Sequence, residues 1–241
     1  MAYEFEYLNL LDSLLQRTAA ANRDGIPALA QKLADTIRSD RIIHMFGTGH
    51  SHMAGIELFC RAGGLGPVDV MLDPDCLAEH GARRSCALER LTGLADVIYD
   101  QYVISPGDIM IITSNSGRNA VPVEMAARCR REGIWCCAVT NLAQSQACTS
   151  RAPGGKKLYE LADLVLDTCV PAGDAMMQIG TAKTGPGSTI ASLALLNTAA
   201  TEALKILQAE GCELPVFQSQ NVDGYDNDAL YERYGDRIKN F

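Results

Sequence analysis

The sequence predicts an α/β fold, a doubly wound, flavodoxin-like sheet of five parallel strands sandwiched between helices, with two further helices at the N-terminus. Apolar runs of strand length alternate with stretches of helical periodicity along the chain. The runs are apolar on both faces, as strands are in a parallel sheet covered on both sides. We place the strands at 41–46, 67–72, 108–113, 134–140 and 163–167.

Two helices are predicted before the first strand. Apolar residues recur there at helical spacing in two sets: Tyr3, Tyr7, Leu10, Leu11, Leu14 and Leu15, then Ile26, Leu29, Leu33 and Ile37. The first set needs a surface to cover it. We expect a second copy of the chain, in a homodimer or a dimer of dimers. The alternative is that this helix folds back onto its own sheet.

The remaining helices lie between and after the strands. Leu88, Leu91, Ala95, Ile98 and Tyr102 mark one; others are predicted at 53–61, 121–132 and 188–208. We interpret the chain, 1–241, as a single domain. It comprises an N-terminal helical segment (1–40), a sheet core (41–210) and a C-terminal tail (211–241) expected to dock on a partner subunit.

Composition narrows the function classes. The 241 residues carry a net charge of −8 and contain no long Lys/Arg cluster, which argues against a nucleic-acid partner. The absence of an apolar run of about 18 residues argues against a membrane span. The first residues lack the pattern of a signal peptide, so we expect a cytoplasmic protein. The nine cysteines include no matched CxxC pairs, and we expect them to be reduced core residues.

The segment 108–119, DIMIITSNSGRN, is the most informative in the chain. A buried strand ends in hydroxyl and amide side chains, among them Ser114, Ser116 and Asn119, and a helix follows. Unpaired N–H groups and the helix dipole favour an anion at such a helix start. Gly117 permits close approach of the backbone to a ligand. An ordinary strand-to-helix turn is the alternative interpretation.

A second turn of this kind follows the first strand, GTGHSH at 47–52, and includes Thr48 and Ser51. A dinucleotide-binding fingerprint would place a third glycine where His52 stands. Asp73 does stand near the position of a ribose-binding acid, so a nicotinamide enzyme is an alternative. Two hydroxyl-rich turns on one sheet fit a small phosphorylated ligand better.

The motifs GTGHS (47–51) and SNSGRN (114–119), with Thr140 and Asn141 after the next strand, resemble the SIS, or sugar isomerase, domain. That family includes phosphoheptose isomerase, the isomerase half of glucosamine-6-phosphate synthase and N-acetylmuramic acid 6-phosphate etherase. The turn at 185–189 supports the resemblance. The tail segment 215–224 is similar to an uncharacterised bacterial subgroup of SIS proteins.

The resemblance implies a protein that binds a phosphorylated sugar and needs no cofactor. It implies phosphate binding by Thr48, Ser51, Ser114, Ser116 and Asn119. It implies sugar binding by Gly47, Asn115, Ser188 and Thr189. Phosphoheptose isomerase carries a His and a Glu as metal ligands on the helix after the first turn. Glu57 and Arg61 stand at those positions here, so no metal site is expected.

Aldose–ketose isomerisation needs a base that moves a proton between neighbouring carbons and a second group that serves the oxygens. Glu57 is our first candidate for the base. His80 is the candidate for the second group, acting across a subunit interface, and His52 could bond a sugar hydroxyl. Two alternatives stay open on the same ligand: a phosphosugar etherase or lyase, and a non-catalytic regulatory protein.

Overall fold

A computed structural model describes residues 3–241, and its centre is a parallel five-stranded sheet, as predicted. Its strands are β1 (Ile43–Gly47), β2 (Val68–Met71), β3 (Ile109–Thr113), β4 (Trp135–Thr140) and β5 (Leu164–Asp167). The strand order is β2-β1-β3-β4-β5, which is the flavodoxin-like order. The chain leaves β1 and β3 in opposite directions across the sheet, so a crevice opens between these two strands at their carboxyl ends.

Helices cover both faces of the sheet. They are α1 (Glu6–Ala21), α2 (Gly25–Arg38), α3 (Met53–Leu58), α4 (Ala82–Leu88), α5 (Leu94–Tyr99), α6 (Ala120–Glu132), α7 (Leu142–Ala147), α8 (Leu158–Leu161), α9 (Ser188–Ala209) and α10 (Asp228–Tyr234). Successive strand residues point to opposite faces. Ile111 and Cys137 therefore pack with α2, α3 and α9, whereas Ile112 and Cys136 pack with α5 and α6. Cys136 and Cys137 thus serve as core residues, as predicted.

Helix α9 has the length and apolar composition of a membrane-spanning helix. Its Leu195, Leu196 and Ala199 are buried in the core shared with α2 and the sheet. The apolar composition of α9 is therefore that of a helix packed inside the fold.

Two local predictions were wrong, and one element was not predicted. The single helix expected from Leu88 to Tyr102 is two short helices, α4 and α5, separated by a turn in which Gly93 has a φ of +85°. Helix α3 ends at Leu58, before Arg61. Residues between β5 and α9 form an unpredicted antiparallel hairpin of β6 (Ala175–Ile179) and β7 (Ala182–Pro186).

Helix α1 folds back onto its own chain through the inner part of its apolar stripe. Leu14 is fully buried against Val170 and Ala191. The Tyr7 hydroxyl donates a hydrogen bond of 2.6 Å to the Pro186 carbonyl at the end of the hairpin. The outer part of α1 and the residues before it stay exposed, namely Tyr3, Phe5 and Leu8. Most of the stripe is thus at least partly covered by the chain itself. Tyr3 stays exposed, together with Phe5 and Leu8, which lie outside the stripe.

The C-terminal tail also packs on its own chain. Val216 forms a bridge with Leu65, and Phe217 and Tyr234 are buried. The Asn240 amide donates a hydrogen bond to the backbone of β2. These contacts place apolar side chains of the tail at the edge of its own sheet. Residues 220–226 stay exposed, so docking of the polar part of the tail on a partner subunit stays a prediction.

Candidate functional site

The two predicted ligand-binding turns lie side by side. Strands β1 and β3 are neighbours, and Gly47 pairs with Thr113 at the last position of their register. The turn after β1 and the turn after β3 therefore leave the sheet together at the crevice, where open α/β sheets bind their ligands.

A cavity of about 290 Å³ opens at this edge of the sheet. Its lining residues are Thr48, Ser51, Glu89, Ser114, Asn115, Ser116, Asn119, Gln144, Gly173 and Asp174. All five residues predicted to bind phosphate are among them. A smaller hollow shares two of these residues and is lined by His50, Ser51, Ala54, Thr113, Asn115, Ser188, Thr189 and Ser192. The predicted sugar-binding residues Asn115, Ser188 and Thr189 therefore also lie at the crevice.

The turn after β3 is held in a compact form. The Ser114 hydroxyl accepts a hydrogen bond from the Gly117 N–H at 3.3 Å. Gly117 has a φ of +57°. A Cβ atom there would lie 2.9 Å from the side-chain oxygens of Ser145 and Thr140, so the position has no room for a side chain. Glycine is required at this position for both conformation and space.

The turn after β1 is closed by another close approach. A Cβ atom on Gly47 would lie 2.6 Å from the backbone of Ser51. Gly47 is thus needed for the chain to fold over itself and place Ser51 in the cavity. The position predicted to contact the sugar is occupied by a residue that shapes the turn.

Glu89 is a cavity residue that the sequence analysis missed. Its carboxylate accepts hydrogen bonds from the Thr48 hydroxyl at 3.0 Å and from the Asn119 amide at 2.7 Å. The backbone carbonyl of Glu89 accepts a third hydrogen bond, from the N–H of Val121 in the first turn of α6. The carboxylate is therefore held between the two turns. The Arg151 guanidinium donates to the other side of the Asn119 amide at 3.0 Å.

Asp174 is a second missed carboxylate. Its Oδ1 accepts from the N–H groups of Gly187 and Ser188, at 3.0 and 2.6 Å, and its Oδ2 accepts from the Ser188 hydroxyl at 2.7 Å. The backbone of Asp174 has a φ of +71°, a conformation that favours glycine. The first turn of α9 is thus already bonded to a carboxylate from the chain itself.

The three predicted catalytic residues do not line either hollow in the structure of residues 3–241. The Glu57 carboxylate lies 2.7 Å from the Arg61 guanidinium and 3.1 Å from the Asn197 amide. The ring of His52 lies between the Gly49 carbonyl and the Glu79 carboxylate. His80 is exposed on the 3-10 turn Ala78–His80.

The position predicted for a ribose-binding acid has a local role. The Asp73 carboxylate accepts the N–H of Asp75 at 2.9 Å and caps the 3-10 turn Pro74–Cys76. Asp73 therefore has a structural role as a cap, and its presence at this position needs no bound nucleotide to explain it.

A buried ionic cluster lies away from the crevice, toward the opposite ends of the strands. The two ring nitrogens of His44 lie 3.1 Å from the Asp69 carboxylate and 3.4 Å from the Asp108 carboxylate. Burial opposes a charged ring, but the hydrogen bonds to Asp108 and Asp69 outweigh it and raise the pKa of His44. Burial likewise opposes ionisation of Asp108, but hydrogen bonds from His44 and two backbone N–H groups lower its pKa.

Comparison with known proteins agrees with the fold and the motifs. Residues 6–141 match the sequence profile of the SIS domain. A UPF0309 protein of Halalkalibacterium halodurans is 37% identical over 233 residues, which cover 95% of this chain and 96% of that protein. A UPF0309 protein of Brucella canis is 40% identical over 223 residues, covering 89% of this chain and 90% of that protein.

A solved structure is similar in fold. The Vibrio vulnificus NanR protein complexed with ManNAc-6P matches with a TM-score of 0.53 and 16% identity, covering 85% of this chain and 63% of that one. An identity this low supports the likeness of fold alone. The sequence profile covers more than half of the chain, and the two relatives cover most of it. The chain therefore belongs to the SIS domain family and, within it, to the UPF0309 proteins.

Proposed function

We propose that this protein is a sugar phosphate isomerase of the aldose–ketose type, acting without a redox cofactor on a ligand held in the crevice between β1 and β3. One observation carries the proposal. Five hydroxyl or amide side chains suited to a phosphate share a single cavity with the anchored carboxylate of Glu89. The cavity therefore combines a candidate anion site with a candidate base.

The phosphate would bind to Thr48, Ser51, Ser114, Ser116 and Asn119. The protein has a net charge of −8, so attraction for an anion must come from local donors. The hydroxyls of Ser51, Ser114 and Ser116, the second amide hydrogen of Asn119 and the start of α6 supply them. The Thr48 hydroxyl, which donates to Glu89, would have to release that carboxylate to join them. Hydrogen bonds from neutral donors to a charged group stabilise by about 1.5–3 kcal/mol each.

The geometry favours Glu89 over Glu57 as the base. A general base must come within hydrogen-bond distance of the proton it removes, and Glu89 lines the cavity. Its carboxylate would take the proton from the carbon beside the sugar carbonyl while the electron pair moves onto the carbonyl oxygen. The enediolate so formed gains a proton on that oxygen. The former carbonyl carbon then takes back the proton held by Glu89, while the neighbouring hydroxyl loses its proton and becomes the new carbonyl. His50 lines the adjoining hollow. It joins His52 and His80 as a candidate for the group that moves protons to and from the two sugar oxygens.

The direct test is an aldose–ketose assay against hexose, hexosamine and heptose phosphates, with a thermal-shift screen of the same panel. We expect one or a few sugar phosphates to be converted and to raise the melting temperature. Saturation at a hundred times Kd adds about 2.7 kcal/mol to the free energy of unfolding. Stabilisation by NAD and by no sugar phosphate would contradict the proposal.

Two other outcomes would change the reaction and keep the ligand. Release of an ether-linked group or elimination of water from the sugar would identify a phosphosugar etherase or lyase. Binding without turnover would identify a regulatory phosphosugar-binding protein. The likeness in fold to a protein complexed with ManNAc-6P makes binding alone a specific alternative. We place the protein in the cytoplasm as a homodimer or a dimer of dimers.

A further inference from the structure

Asp174 presents a carboxylate where an α/β crevice would ordinarily offer donors to its ligand. We infer that Asp174 sets the charge selectivity of the sugar end of the crevice, favouring a sugar phosphate that carries a free amine and disfavouring one that carries a second anionic group. The inference rests on the proposed binding of a sugar phosphate and adds the class of sugar.

The carboxylate is built into the crevice by several independent contacts. Three donors from Gly187 and Ser188 orient it. The hairpin that follows Asp174 is anchored to α1 by the hydrogen bond from Tyr7 to Pro186. A left-handed residue other than glycine costs free energy, and such residues persist where the surrounding structure fixes them. The position of this negative charge is therefore fixed by the fold.

The two carboxylates of the cavity lie at different parts of the site. Glu89 accepts hydrogen bonds from Thr48 and Asn119 at the predicted phosphate-binding turns, where Arg151 also donates to Asn119. Asp174 lies at the start of α9, next to Gly173 and Gln144. Among the ten lining residues, all within the described chain, the charged side chains are Glu89 and Asp174, with no lysine or arginine. A ligand that places its phosphate at the serine turn therefore meets Asp174 at its sugar end.

This arrangement has a defined chemical consequence. Three donors at the start of α9 are consumed by Asp174, so at this point the cavity offers the ligand the remaining acceptor capacity of a carboxylate. An ammonium group makes a charge-assisted hydrogen bond to a carboxylate, which is about twice as strong as a neutral one. A carboxylate or second phosphate at the same place would meet like charge in a partly desolvated site. We expect a neutral sugar hydroxyl at this place to bind more weakly than an ammonium group and more tightly than an anionic group.

The test uses three ligands that share a six-carbon chain and a 6-phosphate: glucosamine 6-phosphate, glucose 6-phosphate and 6-phosphogluconate. Binding to the full chain is measured by calorimetry at neutral pH. We expect affinity to fall in that order, by roughly tenfold at each step, the scale of one hydrogen bond to a charged group.

Asp174→Asn removes the charge while retaining an acceptor and a side chain that tolerates the left-handed conformation. We expect this variant to bind the three ligands within a few-fold of one another, with 6-phosphogluconate gaining most. Asp12→Asn, on the exposed face of α1, is the control and should keep the wild-type order.

Three results would overturn the inference in separable ways. Equal affinity of the wild type for all three ligands would refute the selectivity and leave the proposed function standing. An unchanged order in Asp174→Asn would show that another group, Glu89 foremost, sets it. Failure of the wild type to bind any sugar phosphate in the wider screen would refute the proposed function, and this inference with it.

Discussion

The Thr48 hydroxyl donates a hydrogen bond of 3.0 Å to Glu89, joining two segments that are 41 residues apart in the chain. Thr48 leaves the carboxyl end of β1, and Glu89 follows the short helix α4. Asn119, which precedes α6, donates to the other oxygen of the same carboxylate. The carboxylate of Glu89 therefore bonds to both turns that form the cavity. These turns are neighbours because β1 and β3 lie side by side at the switch point of the sheet.

This relationship predicts the catalytic base. We expect Glu89→Gln to retain sugar phosphate affinity within several-fold, because the amide keeps the size and one acceptor, and to lower turnover at least a hundredfold. Steady-state kinetics and calorimetry on the same ligand separate the two effects. Glu57→Gln is the matched comparison, since its carboxylate is paired with Arg61. If Glu57→Gln is inactive and Glu89→Gln is active, the base predicted from the sequence is correct.

The second prediction concerns the glycine of the serine turn. Gly117→Ala adds a Cβ atom 2.9 Å from Ser145 and Thr140 in a left-handed residue. We expect a loss of more than about 1 kcal/mol in the free energy of unfolding, together with weaker ligand binding. Gly154→Ala has the same sign of φ in open space and controls for backbone strain. Urea denaturation measures the free energy of unfolding of both variants. Equal losses of this free energy in the two variants would show that crowding at Gly117 is unimportant.

The third prediction is a pH dependence of stability from the buried cluster. The folded pKa of His44 is raised above its ordinary value of 6.5, so its contribution is complete below that pH and is lost as pH rises through the folded pKa. The folded pKa of Asp108 is lowered from 3.8, so its contribution is lost as pH falls through that lowered value. We expect His44→Ala to cost about 3–5 kcal/mol at neutral pH, because it leaves two carboxylates buried without their partner.

Urea denaturation at a series of pH values checks this dependence. The wild type should lose stability as the pH rises from neutral, and His44→Ala should lack that component. His80→Ala, which alters an exposed ring, should follow the wild type. A wild-type stability that stays flat above neutral pH in parallel with His44→Ala would contradict the account of the cluster.

The fourth prediction is assembly. Tyr3, Phe5 and Leu8 remain exposed at the start of α1 after Leu14 is buried internally. Large apolar side chains that are exposed in one short segment favour a subunit interface. We expect light scattering at micromolar concentration to give at least twice the monomer mass of 25.9 kDa, and Phe5→Glu to shift the population toward monomer. A monomer mass for the wild type would refute the homodimer.

The sequence predicted the elements that are under strong physical constraint. Buried parallel strands are apolar throughout, so all five strands were found near their observed bounds, including Ile109–Thr113. Hydroxyl-rich turns at strand ends have a recognisable composition, which is why Ser51, Ser114 and Asn119 were identified. These signals are local and need no knowledge of distant contacts.

The two carboxylates of the cavity could not be found in the same way. Glu89 reaches the site because the chain breaks at Gly93, and the apolar residues on both sides of that break suggested one continuous helix. Asp174 directly precedes a hairpin outside the central sheet, whose second strand, Ala182–Pro186, is mostly exposed and has little hydrophobic pattern. Glu57 was predicted as the base because it lies on the helix that follows the first turn. In the structure its carboxylate bonds to the Asn197 amide on α9. Long-range packing decides all three positions.

Calorimetry of sugar phosphate binding to the Ser114→Ala, Ser116→Ala double variant tests the central claim most directly. Both side chains line the cavity, and Ser114→Ala also removes the acceptor of the Gly117 N–H, so the fold of the variant is measured alongside its binding. We expect the glucosamine 6-phosphate affinity, or that of the best ligand from the screen, to fall by about 3–6 kcal/mol, the sum of two hydrogen bonds to a charged group, with urea denaturation showing a folded protein. Unchanged affinity in a folded double variant would contradict the claim that this turn binds the phosphate.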